Sequence, residues 1–220
     1  ELAATEFSDI INAPDAAEFI SGLMDIVQRW SFVAQQDNDV VADWMSFNFP
    51  EKRDFDHLVE HDTVDRGEFT AWMGELEHRR RRDGFKLTDP RMDQRQVLSE
   101  VNHCIYCHER DTDSCSKGMR NKKTNTFKVD PLGVTTIGCP LDEKISEMHL
   151  VKRNGDNIGA LAIIIIDNPM CPGTGHRICN ECMKGCIYQK TDPVNIPQIE
   201  TNVLTDVLFM PYGFEIYSLL

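Results

Sequence analysis

Residues 171–186 read CPGTGHRICNECMKGC, so four of the chain's eight cysteines fall in one short segment. A Pro-broken stretch, IYQKTDPVNIPQIE, follows at residues 187–200. The upstream thiols are grouped as well: Cys104-x2-Cys107-x7-Cys115, then Cys139-Pro140. No cysteine precedes Cys104. In a small secreted chain such a count signals a disulfide framework. Here no basic-then-apolar leader is visible, and C-x-x-C spacing suits ligands that share a metal better than long staples.

The spacing also bears on which metal. Zinc takes four donors in a tetrahedron, usually two C-x-x-C pairs or one pair with two histidines. The downstream set is instead Cys179-x2-Cys182-x3-Cys186, with Cys171 upstream. Three close thiols on uneven gaps, plus a remote Cys-Pro, is the habit of cubane iron–sulfur clusters. In two-cluster ferredoxins the cysteine before proline serves the other cluster. A zinc-stabilised binding module with no redox role stands as the alternative.

Bulk properties narrow the rest. The chain has 220 residues, 41% hydrophobic and 27% charged, with a net charge of −13. Nucleic acid is excluded as a partner, because phosphate binding needs a basic face. The strong basic cluster, His78-Arg79-Arg80-Arg81-Arg82, reads as a solvated helix end. Ala160–Ile166 is the longest apolar run and is too short for a membrane span. A cytoplasmic location follows as an expectation. The start at Glu1 and the abrupt end at Leu220 suggest a piece of a longer polypeptide.

Patterning predicts a mainly α chain with residues 1–90 as a helical N-terminal extension and 91–220 as the thiol-bearing domain. Asp15 is placed to cap a helix that carries Phe19, Ile20, Leu23, Ile26, Val27 and Trp30 at helical spacing. A second amphipathic helix is expected from Gly67 to Arg81, with Phe69, Trp72, Met73 and Leu76 on one face. Phe47-Asn48-Phe49-Pro50 reads as a turn between them, and these aromatics as core. Thr88 or Asp89 is expected to cap a helix through Met92, Val97, Leu98 and Val101 that delivers Cys104 and Cys107. Strand-like pieces follow at 126–129 and 134–137. A helix containing Ile145, Met148, His149 and Val151 comes next. Residues 158–166 read as helix or buried strand, since periodicity does not decide. A last helix is expected over 196–209.

The motif set then resembles a known family. Asn168-Pro169, Gly175, Arg177-Ile178-Cys179, Cys182, Cys186 and Val194-Asn195-Ile196 follow the pattern of the N-terminal iron–sulfur domain of the glutamate synthase small subunit. The same domain occurs in dihydropyrimidine dehydrogenase and related NAD(P)H-dependent flavoproteins. His103-Cys104-Ile105-Tyr106-Cys107, with Cys139-Pro140 after it, resembles that family's first cysteine group. The likeness covers about residues 98–208. It departs in having seven residues between the second and third cysteines, where the family has about four, and in the insertion 116–138.

The resemblance implies an alpha-helical ferredoxin-like domain with two 4Fe–4S clusters. Carried over residue by residue, it assigns one cluster to Cys104, Cys107 and Cys115 with Glu200 as fourth ligand. It assigns the other to Cys139, Cys179, Cys182 and Cys186. Cys171 is either an alternative to Glu200 or an idle buried thiol. The function implied is electron transfer within an NAD(P)H-dependent flavin oxidoreductase. FAD and NAD(P)H would bind in a region downstream, and a ferredoxin or second catalytic subunit would be a partner. A standalone ferredoxin-like subunit is a weaker alternative. His103 and His108 flank the first C-x-x-C as donors to a cluster or as surface groups. His176 lies among backbone N–H groups suited to bonding cluster sulfur, and His57, His61, His78 and His149 carry no signal. There is no G-x-G-x-x-G after a strand, no Walker motif and no G-x-S-x-G in these residues, so no catalytic residue is assigned.

Overall fold

The computed structural model describes residues 15–34, 36–41, 44, 51–74, 79, 84–85 and 90–220. It is mainly helical, with one two-stranded sheet. The chain divides into two compact units, Glu1–Trp44 and Met45–Leu220. This division falls well before residue 90, so the residues from 45 onward group with the thiol-bearing part. Among the described residues no helix is long and apolar enough to cross a membrane.

In the first unit, α1 spans Ala16–Ala34 and α2 Asn38–Val41. Asp15 caps α1 as expected, its Oδ1 accepting from the Glu18 N–H at 2.7 Å. The apolar stripe of α1 is not core: Ile20, Met24, Val27 and Trp30 are exposed. Trp30 packs on Trp44, with ring centroids 5.1 Å apart.

In the second unit, the stretch from Gly67 does not begin a helix. β1 (His61–Asp65) and β2 (Thr70–Gly74) form an antiparallel hairpin in which Val64 faces Ala71 and Asp62 faces Met73. Burial in β2 alternates residue by residue, the period of a strand. The turn closes through the Gly67 N–H on Asp65 Oδ1 at 2.8 Å. Trp72 and Phe69 are exposed, not core, and Trp72 stacks on His61. The turn expected at Phe47–Pro50 lies outside the described residues. So does most of the basic cluster, of which Arg79 is described; its guanidinium reaches the Gly74 carbonyl at 2.7 Å and Asp62 at 3.6 Å.

The thiol-bearing part is built around a buried helix. We label α3 Gln94–His103, α4 Ser114–Lys117, α5 Ile145–Arg153, α6 Asn157–Asp167, α7 Cys171–Thr174, α8 Glu181–Gly185, α9 Ile196–Leu208 and α10 Gly213–Leu219. Single 3₁₀ turns lie at Cys107–Arg110 and Gly175–Arg177. Buried positions occur all round α9, including Ile196, Ile199, Val203, Leu204 and Val207. Such a helix belongs inside a core, and it packs on α3, α6, α7 and α10.

The cap of α3 is Asp93, not Thr88 or Asp89, which fall outside the described residues. Asp93 and Gln96 form a reciprocal capping box at 2.8 and 2.9 Å. Residues 157–167 resolve as helix because Asp156 supplies an N-cap to the Gly159 N–H, and Ala160, Leu161 and Ile164 share one buried face. The strand-like pieces shrink to two isolated bridges, Arg120 with Phe127 and Val129 with Thr135. The buried Lys152 ammonium bonds Asp206 at 2.6 Å and Asn157 at 2.8 Å, tying α5 to α9 and α6.

Candidate metal centre

The C-x-x-C turn begins where α3 stops. Cys104 leaves the helix in an extended conformation, and Tyr106 takes a left-handed φ of 52°. That twist aims the Tyr106 N–H at Cys104 Sγ, 3.4 Å away. The Tyr106 hydroxyl donates back to the Val101 carbonyl at 2.9 Å and fixes the turn. Cys107 opens the following 3₁₀ turn, and Cys115 sits in α4.

α8 brings the next thiol to them. Gly185 lies so close to α4 that a Cβ there would stand 2.5 Å from the Ser114 carbonyl oxygen. α8 ends at Gly185, and Cys186 turns away with φ −63° and ψ 143°. Cys182 and Cys186 therefore leave on different sides, although four residues apart on a regular helix they would share one face. The loop after Cys186 is held to α3: His103 bonds the Asp192 carbonyl at 2.9 Å and stacks on Tyr188, and Glu100 accepts from the Asn195 N–H at 2.7 Å.

The result is a small cavity of about 20 Å³ lined by Cys104, Cys107, Cys115 and Cys186, with His149, Ser146 and Ile196 on its walls. Burial pushes the Cys104 thiol up to about 12 and raises Cys107, Cys115 and Cys186 as well. Backbone N–H groups of Tyr188, Val194 and Ile187 face the Cys186 sulfur and pull the other way. These thiols are largely shielded from water, and backbone N–H groups face the sulfurs of Cys104 and Cys186. Alone they stay protonated, and binding a metal would require them to release that proton.

A second cavity, of about 270 Å³, is lined by Cys139, Cys179, Cys182 and Glu200, with Glu143 and Asn168 beside them. It opens to the surface where Cys179 and Ile178 are exposed. Burial raises Cys139 and Cys182. The Cys139 sulfur is also met by the N–H groups of Glu143 and Leu141. Burial pushes Glu200 well above the usual carboxylate range, and the Glu143 charge adds to it. Glu143 is itself raised by burial and hydrogen-bonded to Glu200 and Asn168. A bond between two carboxyls needs a proton, and that proton is what a cation at Glu200 would displace.

The cavity linings group the candidate residues differently from the expected ligand sets. Cys186 joins Cys104, Cys107 and Cys115, while Glu200 joins Cys139, Cys179 and Cys182. The reason is α9, which runs between the cavities: Ile196 lines the first, and Pro197 and Glu200, three apart, line the second. Cys171 is buried in the core near Glu200 and Glu143, with its thiol raised to about 12, and is not among the residues lining either cavity.

The cavities stand back to back. The Cys139 N–H donates to the Cys115 carbonyl at 2.8 Å, one backbone bond joining a thiol of each set. Gly138 makes this approach feasible, since a Cβ there would stand 2.6 Å from the Ser116 carbonyl oxygen. Among the described residues no group of three or more His, Cys, Asp or Glu side chains converges to hold a single metal ion. The thiols instead ring cavities.

One residue on these walls gave no sequence signal. His149 is fully buried on α5, and neither ring nitrogen has a hydrogen-bond partner. Burial lowers it to about 3, so the ring is neutral. The three histidines that do carry a sequence signal are all engaged: His103 by the Asp192 carbonyl, His108 by Ser146 Oγ at 2.6 Å, and His176 by Thr201 Oγ1 at 3.1 Å. A polar residue on the buried face of α5 was the one available hint, and by itself it points to nothing.

Four candidate donors line each cavity, the number a cubane cluster would take. Each cavity presents four donors, the thiols sit among backbone N–H groups, and a buried imidazole lacks a partner. Comparison with known proteins adds relatives without a stated activity. No family model matches the chain, and no solved structure matches it. It is 67% identical over 51 residues to the uncharacterized protein RP006 of Rickettsia prowazekii (strain Madrid E), covering 23% of this chain and 7% of that protein. It is 29% identical over 149 residues to the uncharacterized protein RP005 of the same organism, covering 64% of this chain and 45% of that protein. The chain spans less than half the length of these curated relatives.

Proposed function

We propose that the chain is an electron-transfer module for two 4Fe–4S clusters. One is held by Cys104, Cys107, Cys115 and Cys186, the other by Cys139, Cys179, Cys182 and Glu200. The observation that carries this reading is the pair of four-donor cavities joined by the Cys139–Cys115 backbone bond. When bound, the clusters supply one-electron carriers between a two-electron flavin and an outside acceptor.

The protein's own part is to hold, insulate and wire. Val194 and Ile196, both buried, keep water from one side of the first thiol set. The N–H groups around Cys186 and Cys139 favour the thiolate over the thiol. Glu200, an oxygen donor among thiolates, makes its corner harder and sets the second cluster's potential apart from the first. The exposed Cys179 side makes the second cavity the natural door for exchange with a partner. The reading extends, on the resemblance above, to a place within an NAD(P)H-dependent flavin oxidoreductase of the glutamate synthase small subunit type. FAD and NAD(P)H would bind outside these residues.

Anaerobic purification followed by iron, zinc and acid-labile sulfide assays tests it. A brown protein with about eight irons and about eight sulfides per chain is expected. A colourless protein holding zinc and no sulfide would overturn it.

A further inference from the structure

His149 sits where a polar side chain is hardest to keep. Its ring lines the four-thiol cavity, it is 0% exposed, and both Nδ1 and Nε2 lack a partner. Buried polar groups are nearly always hydrogen-bonded, and an exception marks a missing partner or a redox role. The nearby Ser146 Oγ bonds His108 at 2.6 Å and is not a partner of either His149 ring nitrogen. A leucine or phenylalanine would fill the same space on α5 without an orphaned donor. The rest of the cavity wall is four cysteines, Ser114, Tyr188 and hydrocarbon, and none of these bonds either ring nitrogen. A neutral imidazole carries one N–H and one lone pair, and in this setting the N–H is the part that a sulfur can satisfy.

We infer that His149 donates a ring N–H hydrogen bond to a sulfur of the cluster held by Cys104, Cys107, Cys115 and Cys186, and so raises that cluster's reduction potential. The inference rests on the two-cluster reading. Its physical basis is charge. Reduction adds one negative charge to the cluster, and a donor at sulfur stabilises the more negative state. His149 acts here as a positioning and tuning residue and is not a ligand. Among the described residues the second cavity has no histidine on its walls, so the effect is expected at the first cluster alone.

The test is a redox titration of the anaerobically purified 220-residue chain, followed by electron paramagnetic resonance. His149→Leu is expected to cut the reduced-to-oxidised ratio of one cluster about tenfold at a fixed potential, a shift of about 59 mV downward for one electron, and to leave the other unmoved. His149→Gln, which keeps an N–H donor, is expected to recover most of the shift. Pulsed resonance on wild-type protein with ¹⁵N-labelled histidine, in H₂O and in D₂O, is expected to show a weak nitrogen coupling together with an exchangeable proton coupling. That measurement decides the matter should either variant fail to load iron. An unmoved potential in His149→Leu with full iron, or no exchangeable coupling, overturns the role of His149 while the two-cluster reading stands. A strong coupling typical of a direct nitrogen ligand also overturns it. Absence of iron and sulfide from wild-type protein would instead fail the reading beneath it.

Discussion

Pairs of serine substitutions would reveal which thiols share a cluster. Cys115 and Cys186 line the first cavity, Cys182 the second. The packing that separates them is tight: the Gly185 backbone rests against Ser114, with room for no Cβ. Cys115→Ser and Cys186→Ser should each remove one cluster, about four of about eight irons, because three thiolates cannot close the cube. The double variant Cys115→Ser/Cys186→Ser should lose no more than either single one. This is complete non-additivity, the signature of residues acting as one unit. Cys182→Ser/Cys186→Ser should lose both clusters and nearly all the iron. Counting iron and sulfide by colorimetry, alongside the visible absorbance, reads the outcome directly. The ligand sets expected from sequence predict the reverse, with Cys182 and Cys186 equivalent and Cys115 independent of both. Full additivity of Cys115→Ser with Cys186→Ser would therefore refute the cavity-based grouping.

Two further outcomes follow from local geometry. Gly185→Ala puts a methyl 2.5 Å from the Ser114 oxygen, so α8 must move off α4; a loss of roughly 1–3 kcal/mol is expected in denaturant unfolding of the metal-free chain, and in a separate titration of the anaerobically purified variant the first cluster should be lost before the second. Glu100 is raised above its usual 4.5 by burial, against the pull of the Asn195 N–H. The folded chain thus holds this proton where the unfolded chain has released it, and stability falls as pH rises from 4.5 through the raised value. Glu100→Gln keeps the acceptor without the charge. Relative to wild type it should gain stability across that window, as measured by urea midpoints at stepped pH, and an equal pH slope in both proteins would contradict the burial argument.

The misread segments share a physical origin. Phe69, Trp72, Met73 and Leu76 satisfy helical spacing, but apolar residues three and four apart are only a surrogate for burial. In the folded chain Phe69 and Trp72 are exposed, and cross-strand pairing with His61–Asp65 shapes the segment instead. The apolar stripe of α1 was legible as a helix and illegible as to what it faces.

Local chemistry settled much else from sequence alone. Helical periodicity located the helices at 94–103, 145–153 and 196–208 to within a few residues and left 157–167 open between helix and strand, because hydrogen bonds four residues apart are short-range interactions. Side-chain identity nominated the thiols and Glu200 as donors. Tertiary packing alone decided which donors face one another and which histidine lacks a partner. Cys186 reaches Cys115 because one helix ends at Gly185 and lies flat on another, and Glu200 meets Cys139 because α9 turns that side toward the second cavity. Such groupings depend on contacts between residues tens of positions apart, and spacing along the chain does not encode them.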